Sequence, residues 1–189
     1  DGVASLFPLK ALPKSTQRAD FVLALDRLQD PGNLGTLFRT ALAAEVQEVW
    51  IASGADPLSQ KVLRASAGAL LHLPYERFGG PDQVAVEELV EKLQESAVSG
   101  YQVVGTFVSG PLSSTPILPY WQLDWTKPTI LVLGNEGAGI HPLIKSCCTH
   151  SITLPHSPLV ESLNVASAAV PLLLERRRAK MLKETNQKR

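Results

Sequence analysis

The sequence predicts an α/β protein whose parallel sheet is covered by helices on both faces. Three observations carry the prediction. Short apolar runs without polar alternation recur along the chain, as strands buried on both sides require. Stretches with helical spacing separate them, as crossovers between parallel strands require. The 189 residues are 44 % hydrophobic and 19 % charged, which suits one sizeable core.

The elements follow in order. Residues 1–19 mix Pro8, Pro13, Lys10, Lys14 and Arg18 with a few apolar side chains and read as a linker or edge segment. FVLALDRL (21–28) reads as a buried strand, and QDPGN (29–33) as a turn. Leu34, Leu37, Phe38, Ala41 and Leu42 mark one face of a helix over 34–44, with Asn33 placed to cap it. EVWIAS (48–53) is a strand, 57–69 a helix, and LLHLPYERF (70–78) a strand with its exit. Residues 83–96 have helical periodicity, YQVVGTFV (101–108) is a strand, and 111–125 is a loop rich in Pro, Ser and Trp. TILVL (129–133) is a strand followed by a glycine loop. A short helix spans 141–147, SITLP (151–155) is a strand, and a closing helix begins near Ser162 with Pro171 inside it.

Charge and cysteine exclude little. Net charge is zero, yet Glu175–Arg189 carries seven basic and two acidic residues, +5 against −5 elsewhere. Such a tail can meet phosphates or form a solvated helix end. Cys147 and Cys148 are adjacent, with no CxxC and no zinc spacing, so a reducing compartment and no metal are expected. No apolar run approaches the ~20 residues that cross a bilayer. No signal-peptide pattern is visible, and no membrane association is expected. The cytoplasm is the expected location, with an organelle also compatible.

Three loops at strand ends carry unusual chemistry, and ligands of such sheets bind there. QDPGNLGTLFRTA (29–41) makes an anion-ready corner of turn and helix N-terminus, with Arg39 off the apolar stripe. LVLGNEGAGI (131–140) holds three glycines in six residues, so the backbone can approach a ligand. Its GxxGxG spacing is neither the dinucleotide fingerprint nor a P-loop. Glu136 within it needs a partner, such as Arg39 or a helix N-terminus. LPHSPLVESLN (154–164) is stiffened by two prolines. Ser162 can cap the last helix, and Asn164 can point from its first turn to a neighbouring loop.

Together the three segments resemble the SpoU (TrmH-like) family of SPOUT-class RNA ribose 2′-O-methyltransferases. Asn33 and Arg39, six apart after a strand, match its first motif. LVLGNEGAG at 131–139 matches the second, and Ser162–Val165 (SLNV) the third. The correspondence covers about residues 20–178.

The resemblance implies a parallel-sheet domain over 20–183 with a C-terminal trefoil knot, a basic tail at 184–189, and a homodimer. It implies S-adenosylmethionine as cofactor, with Thr106, Gly134, Asn135, Gly139, Ile152, Leu154 and Leu163 lining its pocket. It also implies RNA as substrate, ribosomal slightly favoured over transfer RNA. Arg39, Asn33, Glu136, Ser162 and Asn164 would form the catalytic centre. The resemblance gives Arg39 a part in deprotonating the hydroxyl; a guanidinium is a poor base, so the physically safer role is to clamp phosphate and steady the developing alkoxide, and Glu136 would hold Arg39 by an ion pair. Residues 1–19 would be the remnant of a preceding RNA-binding domain. The chain departs from the family at His156 and Pro158, where a Met and a Gly are usual, at Ala166 in place of Ser, and at Pro171. His156 reads as a packing or surface residue, and His72, His141 and His150 as background. Rival readings are a catalytically inactive RNA-binding or assembly protein of the same fold, a SPOUT-class base methyltransferase, and a generic nucleotide-binding domain.

Overall fold

In a computed structural model, which describes residues 13–14, 18–108 and 117–187, the expected α/β architecture is present. Seven strands form one sheet: β1 (Phe21–Asp26), β2 (Glu48–Ala52), β3 (Tyr75–Phe78), β4 (Gln102–Thr106), β5 (Ile117–Pro119), β6 (Thr129–Leu133) and β7 (His150–Thr153). Five helices join them: α1 (Pro31–Ala43), α2 (Gln60–Ala65), α3 (Asp82–Val98), α4 (Pro142–Cys147) and α5 (Val165–Gln187). The strand order is β3-β2-β1-β6-β4-β7-β5, and every pairing is parallel.

Period-2 geometry divides the strand side chains between two cores. Phe21, Leu23, Leu25, Leu131 and Leu133 join Leu34, Leu37 and Phe38 of α1, Val62 of α2 and Leu172 and Leu173 of α5 on one face. Val22, Ala24, Ile130 and Val132 join Ala85, Leu89 and Leu93 of α3 and Ile144 of α4 on the other. Both faces are buried, which is why these strands carry no polar alternation.

The register sets the site. Leu25 pairs with Leu133, Gly105 with Val132, and Thr106 with Ile152. The carboxyl ends of β1, β6, β4 and β7 therefore stand side by side, and their four exits leave the sheet together.

Several boundaries differ from the sequence reading. The helix expected at 34–44 starts at Pro31, because Asp30 rather than Asn33 caps it. The helix expected at 57–69 is α2 plus a 3₁₀ turn at Ala69–Leu71, and the strand expected from 70 begins at Tyr75. Gly68, at φ +85°, divides the two helical pieces. Residues 117–122 of the expected loop form β5, paired to β7, and a 3₁₀ turn. The closing helix begins at Val165, runs through Pro171 and takes in 184–187, part of the expected tail. Most of the 1–19 linker, 109–116 of the Pro-rich loop, and 188–189 lie outside the described residues. Cys147 and Cys148 are both free thiols. Among the described residues no helix is long and apolar enough to cross a membrane.

Candidate active site

The site begins at the exit of β1. Asp26, fully buried, pairs with Arg27 at 2.7 Å and accepts from the His141 backbone N at 2.6 Å. It thereby ties the end of β1 to the chain leaving the glycine loop. Asp30 Oδ1 accepts the Asn33 backbone N at 2.8 Å, and Pro31 takes the first helical position, where its missing N–H costs nothing.

Glu136 docks on that helix start. Its Oε2 accepts from the Gln29 backbone N at 3.1 Å. Its Oε1 accepts from the Asp30 backbone N at 3.1 Å and from Asn33 Nδ2 at 3.2 Å. Partial burial pushes this carboxyl up, but the bonds from Gln29, Asn33 and Asp30 outweigh it and hold the group below the usual carboxylate range. The expected ion pair with Arg39 is not formed; the helix N-terminus satisfies the carboxylate instead. Six residues of helix turn Arg39 by about 600° from Asn33 and carry it about 9 Å along the axis. Arg39 is thus exposed on a different face of α1 and lines neither cavity described below.

The glycine loop is a closed backbone hairpin. Asn135 and Gly139 exchange two backbone bonds of 3.0 Å. Asn135 Oδ1 accepts from Gly137 N and Ala138 N, each at 2.9 Å, and its Nδ2 donates to Arg27 O at 2.8 Å. A Cβ at Gly134 would stand 2.4 Å from both Gly139 C and Ile140 N, so only glycine allows this approach.

The third loop delivers α5. Asn164 Oδ1 accepts from Ala166 N at 3.0 Å and Ser167 N at 3.1 Å, while Nδ2 donates to Asn33 Oδ1 at 2.9 Å. Asn164 is therefore the helix cap, not Ser162 as expected, because helical geometry starts only at Val165. Ser162 lies two residues before the cap and keeps an exposed hydroxyl. His156 Nδ1 is 2.8 Å from Leu154 O, a local contact, and His141 caps α4 by accepting from Leu143 N at 3.3 Å.

Two adjoining cavities open here. The first, about 450 Å³, is lined by Thr106, Gly134, Asn135, Gly139, Ile152, Leu154 and Leu163, all seven positions expected around a cofactor. The second, about 730 Å³ and more open, is lined by Asp30, Asn33, Asn164 and Gln29. Asn135, Glu136, Gly137, Ser162, Leu163 and Val165 face both. Four of the five expected catalytic residues thus meet at the junction, and Arg39 does not. The sequence reading missed Asp26 and Asp30, although an Asp before Pro-Gly is a recognisable cap signal.

The sequence matches the model of the SpoU rRNA Methylase family over residues 20–173. It is 38 % identical over 180 residues to an uncharacterized tRNA/rRNA methyltransferase of Synechocystis, covering 94 % of this chain and 61 % of that protein. It is 35 % identical over 153 residues to the 23S rRNA (guanosine(2553)-2′-O)-methyltransferase RlmP of Bacillus subtilis, covering 80 % and 56 %. The fold superposes on the SpoU methyltransferase AviRb of Streptomyces viridochromogenes, solved with AdoMet, with a TM-score of 0.73 and 30 % identity. That match covers 93 % of this chain and 65 % of AviRb. The chain spans about three fifths of the length of these relatives. With its three motif segments gathered at the carboxyl end of the sheet and the family match running from β1 into α5, the chain belongs to the SpoU rRNA methylase family.

Proposed function

We propose that this chain transfers a methyl group from S-adenosylmethionine to a ribose 2′-hydroxyl of structured RNA, with ribosomal RNA slightly favoured over transfer RNA. One observation carries the reading: a nucleoside-sized cavity, walled by the glycine loop and apolar side chains, opens directly onto the Asn33–Glu136–Asn164 cluster. The residues present fit the cofactor. Gly134, Gly137 and Gly139 line the cavity without side chains, so their backbone can approach a ligand, and Leu133, Ile152, Leu154 and Leu172 supply apolar wall. When bound there, the cofactor would supply its sulfonium methyl to the ribose oxygen and leave as a neutral thioether, with the hydroxyl proton released to solvent. Thr106, whose Oγ1 donates to Val132 O at 3.1 Å, fixes the β4 exit against β6.

The chain's own groups do the positioning. Glu136 pins the glycine loop to α1, and Asn33 and Asn164 hold the starts of α1 and α5 in register, so the reacting atoms are held close before reaction. Ser162 Oγ, without a hydrogen-bond partner among the described residues, is the free hydroxyl that orients the incoming 2′-hydroxyl. Arg39 acts from outside the cavities, as a phosphate clamp on the RNA side rather than on the reacting oxygen. A guanidinium stays protonated and is a poor base.

The proposal includes a homodimer. Val170, Leu174 and Met181, 38 %, 44 % and 51 % exposed, lie on one stripe of α5 that Arg177 interrupts, a mostly apolar strip that a second copy would cover. It includes the trefoil knot, supported by the 134–140 and 154–164 loops sharing one cavity before α5 returns across α1. It also includes a cytoplasmic or organellar location.

The test is methyl transfer from labelled S-adenosylmethionine to total RNA, followed by mass analysis of the nucleosides. The expected product is a 2′-O-methylated nucleoside. A base-methylated product, or cofactor binding without transfer, overturns the reading.

A further inference from the structure

Two unpaired guanidinium groups lie on the helices beside the site. Most described arginines are engaged elsewhere. Arg18 donates to Ser99 O at 2.6 Å, Arg27 pairs with Asp26 and Arg77 donates to Gly54 O at 3.1 Å. Arg177 pairs with Glu45 at 2.7 Å, Arg178 with Glu175 at 2.5 Å, and buried Arg176 lies over the Phe21 ring at 5.5 Å. Within the basic segment expected to meet phosphates, Arg176 is buried and Arg177 is held by Glu45. Among the described residues, Arg39 and Arg64 are the two arginines with no hydrogen-bond, ion-pair or aromatic partner.

Arg64 lies on α2, one turn from Lys61. Lys61 reaches Asp30 at 3.3 Å, with the two side chains 65 % and 48 % exposed, a pair that water weakens strongly. Gly32, Gln60, Lys61, Arg64 and Ala65 line an open crevice of about 520 Å³ between α1 and α2. Gly35 lets the helices close to this distance: a Cβ there would stand 2.5 Å from Ala65 Cβ and 2.7 Å from Val62 O. Helical spacing puts Gly32, Thr36 and Arg39 on one stripe, so Arg39 continues the line that starts at the crevice. On the other side of Gly32, Asp30 and Asn33 line the polar cavity.

We propose that the α1–α2 crevice seats the RNA phosphodiester backbone next to the target nucleotide, with Lys61 and Arg64 as its contacts and Arg39 extending the same track. The inference rests on the proposed RNA substrate. A chain of zero net charge needs such a local cluster, because phosphate contacts dominate RNA affinity. The unpaired guanidinium of Arg64 suits the two-pronged recognition of a phosphate, and Lys61 can exchange Asp30 for a phosphate at small cost.

The experiment uses radiolabelled total ribosomal RNA as the binding probe and labelled S-adenosylmethionine for transfer, on the wild type, the Lys61→Ala/Arg64→Ala double variant and Lys127→Ala. Lys127 is an exposed lysine before β6, at the opposite end of the sheet, and serves as the control for lost charge. The double variant is expected to weaken RNA binding about tenfold at 0.15 M salt and to reduce the slope of log affinity against log salt by about 1.5. Its kcat at saturating RNA and its affinity for S-adenosylmethionine should stay within about twofold, so the loss appears in KM. Arg64→Lys should recover part of it. Unchanged RNA affinity and KM in the double variant overturn the crevice while leaving the proposed activity standing, and an equal loss in Lys127→Ala overturns it also. RNA binding that falls in the double variant, in a wild type that transfers no methyl group, keeps the crevice and overturns the activity. A wild type that binds no RNA overturns both.

Discussion

Asn164 donates through Nδ2 to Asn33 Oδ1 at 2.9 Å, joining the start of the last helix to the first turn of the first across 131 positions of sequence. The same Asn164 side chain caps α5 through its oxygen. One amide thus performs two separable tasks. Asn164→Ala removes both and should cost about 1–2 kcal/mol in thermal or urea unfolding. Asn164→Ser keeps a capping oxygen but is too short to reach Asn33. It should recover most of the stability while methyl transfer stays low. Full activity in the serine variant would disprove a functional role for the amide link.

Glu136 makes a pH prediction. Its carboxyl is held below the ordinary value of 4.5 in the folded chain, so its ionised form stabilises the fold. That contribution is complete above the ordinary value and is lost as pH falls through the lower, folded value. Glu136→Gln removes it. The stability gap between wild type and variant, measured by urea unfolding, should be widest near neutrality and shrink below about pH 4.5. A gap that widens on acidification contradicts the assignment.

Gly134→Ala tests the cofactor cradle. The added Cβ meets backbone atoms of Gly139 and Ile140 at 2.4 Å, and no side-chain rotation relieves that clash. The hairpin must open, at about 1–3 kcal/mol. Calorimetry should show S-adenosylmethionine binding weakened at least tenfold, whereas Gly79→Ala, outside both cavities and with open space for a Cβ, should bind normally.

Arg39→Ala should separate RNA contact from cofactor binding. Arg39 lines neither cavity, so affinity for S-adenosylmethionine should stay within about twofold. Loss of its phosphate contact on the RNA side should lower kcat/KM about tenfold, mainly through KM. An unchanged kcat/KM would remove Arg39 from the mechanism.

Leu174→Glu puts a charge at the centre of the exposed α5 stripe. Light scattering should report a dimer for the wild type and a monomer for the variant, with the monomer still folded. A wild type that is monomeric at all concentrations overturns the dimer.

The sequence by itself determined the layers, the sheet and the position of the motifs. The apolar runs at Phe21–Asp26 and Thr129–Leu133 can be satisfied only between two covering layers, and the residues at the strand exits are fixed by chain order. Short-range signals were less secure. Asn33 looked like the cap of α1 and Ser162 like the cap of α5, since any small polar residue near a helix start satisfies the rule. Only the fold showed that Asp30 and Asn164 take those places. Which partner Glu136 takes was also a tertiary matter. Two partners were chemically adequate, and helical rotation decides between them by turning Arg39 away while the parallel register of β1 and β6 brings the glycine loop onto the first turn of α1. The location of uncompensated charge belongs to the fold as well: a count of Lys and Arg cannot tell that Arg177 is spent on Glu45 while Arg64 is left free, because pairing is set by distances that only packing creates.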